Sequence, residues 1–168
     1  DQGPKEIKMD LTQFLKNILQ LESSGGKDTD HRRMTAGMHK GEAAMGGYGI
    51  MPNTAEEFIG RRKRRGQFGP DEAIMSQLSG EELKEFLQSQ PRVEENLAED
   101  IAKHVQRRAK GNAEKAAYMW NMGHNLSADK ITQEMLDASP YVQKFRRLKE
   151  KLAPKEEKQE EPNKIIIP

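Results

Sequence analysis

Glu22 is the residue whose neighbours best fit it for proton donation. It follows a stretch in which Leu11, Phe14, Leu15, Ile18 and Leu19 recur at helical spacing, and it precedes Ser23-Ser24-Gly25-Gly26. Helical i, i+4 geometry sets Glu22 beside Ile18 and Leu19, on the apolar face. A carboxylate there is partly desolvated, which disfavours its charged form, raises its pKa and suits a general acid. Periodicity alone fits equally well a solvated glutamate at a frayed helix end, because surface glutamates are common. The decision between the two rests on segments far away in the chain.

Three segments matter together. Residues 21–26 read Leu-Glu-Ser-Ser-Gly-Gly, residues 46–55 read Gly-Gly-Tyr-Gly-Ile-Met-Pro-Asn-Thr-Ala, and residues 117–123 read Ala-Tyr-Met-Trp-Asn-Met-Gly. In this order they resemble the lytic transglycosylase and goose-type lysozyme superfamily, over roughly residues 8–126. That family has a catalytic Glu followed by Ser at a helix end. A Gly-Leu-Met-Gln-(apolar)-x-Pro-x-Thr-Ala segment follows, and then an Ala-Tyr-Asn-x-Gly segment on a later helix. Each motif alone is weak; the ordered trio is fairly specific. The resemblance implies that Glu22 protonates the β-1,4 glycosidic oxygen between N-acetylmuramic acid and N-acetylglucosamine in peptidoglycan. It implies that Ser23 holds the acid's surroundings, that Gly46 to Ala55 wall a substrate groove, and that Trp120 and Asn121 face the catalytic carboxyl. Tyr48, Gly49, Met51, Asn53 and Tyr118 join the expected substrate-binding set, and no cofactor is implied.

Two departures stand out. The family's Gln falls on Gly49, and the aromatic of the third motif is Trp120, which has no hydroxyl to offer Glu22. Tyr48 or Tyr118 is then expected to supply one. The departures suggest a divergent branch, of the sort found in phage particles. The mechanism turns on a second carboxylate. An inverting hydrolase needs one to activate water, whereas a lytic transglycosylase closes the substrate's own C6 hydroxyl onto C1 and needs none. Asp28, Asp30 and Glu42 are the candidates, and no motif marks any of them. The reading leans to the transglycosylase. An inverting lysozyme and an inactive wall-binding module on the same fold are the rivals.

Other chemistry-bearing groups read more plainly. Arg61-Arg62-Lys63-Arg64-Arg65 is expected to be a solvated helix end whose cations complement the macrodipole. Attraction to the acidic cell wall is the next reading. Nucleic acid is not expected, because no aromatic residue is interleaved to stack on bases. Asp28, Asp30, His31, His39 and Glu42 match no metal-ligand spacing, so no metal is expected. His31 and His39 are read as hydrogen-bonding within their loop, His124 as lining the groove, and His104, on a charged helix, as surface. Most of the methionines are read as core filler.

The elements that must carry these residues follow from periodicity and caps. Asp10 opens the first helix with Gln13 as a capping-box partner, and Gly25-Gly26 ends it. Residues 25–53 hold seven of the chain's 14 glycines, which predicts a long loop or a small irregular β region beside the groove. Thr54 and Glu57 read as a capping box for a helix toward Arg65. A short helix over Asp71–Gln77 follows, then one capped by Ser79. A longer helix starts at Pro91 with Val93, Leu97, Ile101 and Val105 in step. Asn112 caps a helix through Trp120, Ser127 one through Leu136, and Ser139-Pro140 opens the last. The fold is therefore expected to be mainly α and lysozyme-like. Residues 1–7 read as a lead-in, 8–153 as the catalytic domain and 154–168 as a charged flexible tail.

Composition narrows the setting. Only 34% of residues are hydrophobic and 33% are charged, which fits one small helical domain. A net charge of +1 gives no global electrostatic pull toward any partner. With no cysteine, neither a disulfide framework nor a thiolate metal site can form. No apolar run approaches the ~18 residues of a spanning helix, so membrane insertion is not expected. The chain begins at Asp1 rather than Met, which reads as a processed product or a piece of something larger. The expected partner is the peptidoglycan glycan strand. The periplasm, the cell wall and a phage virion or wall-spanning assembly all suit that partner.

Overall fold

The computed structural model describes residues 9–29, 31 and 43–151, with side chains through Leu148. Among them are eight α-helices: α1 (Leu11–Ser23), α2 (Pro52–Arg64), α3 (Pro70–Met75), α4 (Glu81–Ser89), α5 (Pro91–Arg108), α6 (Ala113–Met122), α7 (Gln133–Ala138) and α8 (Pro140–Lys151). A 3-10 turn, Ala128–Lys130, lies between α6 and α7. The chain is mainly helical, and no strand occurs among the described residues. No helix among them is long and apolar enough to cross a membrane. The expected lead-in and tail lie outside the described residues.

Helix α1 forms where its apolar stripe predicts. Asp10 caps it by accepting from the Gln13 amide at 2.8 Å. The Gln13 side chain does not complete a capping box; it donates to Asn17 one turn on. Ser24 closes the helix in the left-handed region at φ 53°, with its N–H turned back to the carbonyls of Leu19 and Gln20. The stripe buries Phe14, Leu15 and Ile18. Helix α5 is the hub, packing on α1, α2, α4 and α6, while α8 closes the far side against α1, α6 and α7. Phe14 lies where these layers meet, its ring against those of Trp120 and Phe145. Removing so large a fully buried ring would cost about 3–5 kcal/mol.

Three predicted boundaries shift, each for a local reason. Helix α2 starts at Pro52, not Thr54, because proline's fixed φ suits the first helical position and Met51 takes the extended N-cap geometry. Thr54 and Glu57 are thus inside the helix. Helix α4 is preceded by Gly80 at φ 57°, which turns the chain where Ser79 was expected to cap. The single helix expected from Ser127 to Leu136 is a 3-10 turn followed by α7, which Thr132 caps through the Met135 amide. In the glycine-rich region, Met45 and Ile50 exchange both backbone hydrogen bonds and close the tight turn Gly46–Gly49.

Candidate active site

Helix α1 carries Glu22 in its last turn, half-buried at the wall of a groove of about 750 Å³. Burial pushes its pKa up. A hydrogen bond from the Tyr141 hydroxyl to Oε2, 2.8 Å, and the charge of His31 pull the other way without overcoming it. Tyr141 opens α8, and burial together with the adjacent carboxyl holds its own pKa far above the usual phenol value. It therefore remains a donor. Oε2 is thus occupied, and Oε1 lies on the side of Gly49, which shares the groove wall.

The Gly46–Gly49 turn covers this carboxyl and is held at nearly every peptide group. Ser23 Oγ donates to the Gly47 carbonyl at 2.7 Å and accepts from the Gly26 amide. His31 Nε2 meets the Gly46 carbonyl at 2.7 Å. Trp120 Nε1 donates to the Tyr48 carbonyl at 3.2 Å. The buried carboxylate of Glu94, from α5, accepts from the Tyr48 amide at 2.9 Å. Gly49 sits at φ 63°, and a Cβ there would overlap the Glu22 carboxyl. Glycine at this position has a steric cause, since only glycine lets the turn approach the Glu22 carboxyl this closely.

Of the expected site residues, Glu22, Gly49, Met51, Asn53, Trp120 and Asn121 line the groove together. Ser23, Tyr48 and Tyr118 do not. Ser23 is buried beside the turn, the side chain of Tyr48, within the turn, is buried in the core, and Tyr118 packs against the core. The expectation that Tyr48 or Tyr118 supplies the hydroxyl is corrected: Tyr141 supplies it. Among the possible second carboxylates, Asp28 is exposed and outside the groove wall, and Asp30 and Glu42 lie outside the described residues. His39 lies outside them too. His31 bonds within its own loop region, as read from the sequence. Among the described residues no group of three metal-ligating side chains gathers.

The groove's other described carboxylate is Glu57. His124, which lines the groove as expected, meets its Oε1 at 2.7 Å, and Arg61 donates to its Oε2 at 2.6 Å. Burial acts to raise its pKa, but the bonds and charges of His124 and Arg61 outweigh it and hold it at about 2. His104 is buried, not surface as its charged helix suggested. Its ring packs edge-on against Phe58 and His124, and its Nε2 faces Asn125 Oδ1 at 2.9 Å. Much of the basic run is engaged internally. Arg61 bonds Glu57 and lies over the Phe58 ring, Arg62 bonds Asp100 and Glu72, and Arg65 bonds Asp100.

Tyr141, Glu94 and Glu57 are the site residues that sequence reading missed. Glu94 carried a readable signal: with Leu97, Ala98 and Ile101 it falls on the buried stripe of α5, where a carboxylate is out of place. Tyr141 carried none, since its partner lies 119 residues away. No protein-family model, curated protein or solved structure matches the chain. What the chain can do therefore rests on the groove: a half-buried, oriented, pKa-raised carboxyl on one wall, with indole, amide and apolar surface beside it.

Proposed function

We propose that the chain is a muramidase with a lysozyme-like fold that cuts the glycan strands of peptidoglycan, with Glu22 as general acid. The observation that carries this reading is the state of Glu22: its pKa raised by burial, its carboxyl oriented by Tyr141, its place in the wall of a groove. Residues of all three motif segments, separated by up to a hundred positions, also converge on that groove. Glu22 protonates the β-1,4 oxygen after N-acetylmuramic acid. The C1–O bond breaks through an oxocarbenium-like transition state.

The lytic transglycosylase route is favoured over inverting hydrolysis by Glu57. With a pKa of about 2 and both oxygens accepting hydrogen bonds, it is a poor proton acceptor for water. The ionised Glu22 instead takes the proton of the substrate's C6 hydroxyl as that oxygen closes on C1. The product is a 1,6-anhydromuramyl end, and Glu22 returns to its acid form. The setting is one where peptidoglycan is reached: periplasm, cell wall or phage virion. Mass spectrometry of purified sacculi digested with the protein tests this, with anhydromuramyl ends expected. Reducing muramic acid ends alone would establish a lysozyme instead, and intact sacculi would leave an inactive wall-binding module.

A further inference from the structure

Glu94 is a buried carboxylate, 5% exposed, in the first turn of α5. It is not part of the groove wall. No Lys or Arg among the described residues forms an ion pair with it. Its partners are the backbone N–H groups of Gly47 and Tyr48, with His31 nearby. Gly46, at φ 69°, lies so close that any side chain there would overlap the Glu94 carboxylate. An ionised group sunk this deep is expensive to hold, and an apolar residue of similar volume is often as stable or more so. Stability therefore does not account for Glu94, whereas its bonds to the turn supply a different reason.

We propose that Glu94 is a positioning residue: from α5 it clamps the Gly46–Gly49 turn onto Glu22 and so keeps water away from the acid. The chain of contact is short. Glu94 accepts from the Tyr48 amide at 2.9 Å, with the Gly47 amide beside it, and the next residue, Gly49, lies against the Glu22 carboxyl. Ser23, Trp120 and His31 hold the turn's carbonyls, which leaves the amide side to Glu94. Without Glu94 two buried N–H groups lose their acceptor, and the turn must tilt outward to find water. Water then reaches Glu22, and its ionised form gains solvation. The titratable groups facing Glu22 are Tyr141 and His31, and those facing Glu94 are His31 and Tyr48.

In its catalytic consequence this rests on the proposed muramidase reading; in its physical consequence it does not. The test compares Glu94→Gln, Glu94→Asp and a charge control, Glu95→Gln, which removes the same charge from the neighbouring exposed position. The full chain is labelled for carbon-13 NMR of the Glu22 carboxyl and for amide exchange at Gly47 and Tyr48. Glu94→Gln keeps one accepting oxygen and loses the other, so it is expected to lower the Glu22 midpoint and to speed exchange at one of the two amides about tenfold or more. Glu94→Asp, too short to reach both amides, moves both readouts the same way by less, and covers the case in which the Gln variant fails to fold. Glu95→Gln leaves both unchanged. On solubilised glycan strands, Glu94→Gln lowers kcat about tenfold with KM within about twofold, since small misplacements of reacting groups are costly. The alkaline limb of its rate profile moves to lower pH. A folded Glu94 variant with the Glu22 midpoint unmoved overturns the proposal, as does an equal shift in Glu95→Gln. If the parent protein cuts no glycan, the muramidase reading fails while the two NMR readouts still decide the role of Glu94.

Discussion

At the scale of single residues, Tyr141 and Glu94 act on Glu22 in opposite senses. The Tyr141 hydroxyl stabilises the carboxylate form and lowers the pKa; the clamped turn excludes water and raises it. Tyr141→Phe is accordingly expected to move the Glu22 midpoint further up and to cut turnover, while Tyr48→Phe and Tyr118→Phe leave both nearly unchanged. Carboxyl NMR and initial rates check this, and a Tyr118→Phe variant as impaired as Tyr141→Phe would contradict it. Glu22→Gln keeps an oxygen for Tyr141 and loses the proton, so on the proposed reading lytic activity should fall by about 10²–10⁴-fold. It should also stabilise the protein. A raised folded pKa means that the native carboxyl is penalised as pH climbs from 4.5 through the folded value. Each pKa unit of elevation corresponds to about 1.4 kcal/mol. Thermal denaturation should thus show a higher Tm for the Gln variant at pH 7, with the gain absent below pH 4.5. Glu22 was legible because the helix stripe and the Ser-Ser-Gly-Gly stop lie beside it in sequence. Tyr141 was not, because neither its helix nor its neighbours carry any mark of a partner in α1.

At the scale of elements, the helices were legible wherever one face alone had to be apolar. The four-residue step of Val93, Leu97, Ile101 and Val105 in α5 is the clearest case, and all four are buried. Boundaries set by backbone conformation were harder to read, since Pro52 competes with Thr54 as a helix start and Gly80 with Ser79 as a cap. The basic run at the end of α2 has a structural explanation in its centre. Arg62 bridges Asp100 of α5 and Glu72 of α3 with little of its side chain exposed. Arg62→Ala leaves two carboxylates facing a gap and is expected to destabilise by about 3 kcal/mol, the low end for breaking a buried pair. Arg64→Ala, exposed on the same helix, should stay within about 0.5 kcal/mol. Urea titration of the two variants compares them, and equal losses would show that the network contributes nothing beyond surface charge.

At the scale of the molecule, the groove's far wall makes the fold acid-sensitive. Glu57 is held at about 2, so its contribution to stability is complete above 4.5 and fades as pH falls toward 2. Glu72 is lowered in the same sense. Burial lowers the pKa of His104, and its share fades as pH falls from 6.5. The parent should lose Tm steadily on acidification, and Glu57→Gln should lack part of the fall between 4.5 and 2. Melting curves across that range decide it; parallel curves for the two proteins would remove Glu57 from the account. The helical class was legible from composition and caps. The groove was not, because its walls come from α1, α2, α5, α6 and the loop after α6. Only packing brings those segments together.

The bond between Glu22 and Tyr141 spans 119 residues. On a ribosome adding about 5–20 residues per second, the acid is made several seconds or more before the hydroxyl that orients it. Through that interval the nascent chain carries Glu22, the glycine turn and Glu94 but no α8, so the carboxyl has no fixed direction. Lytic competence, on the proposed reading, arrives with the docking of one late helix rather than growing with chain length.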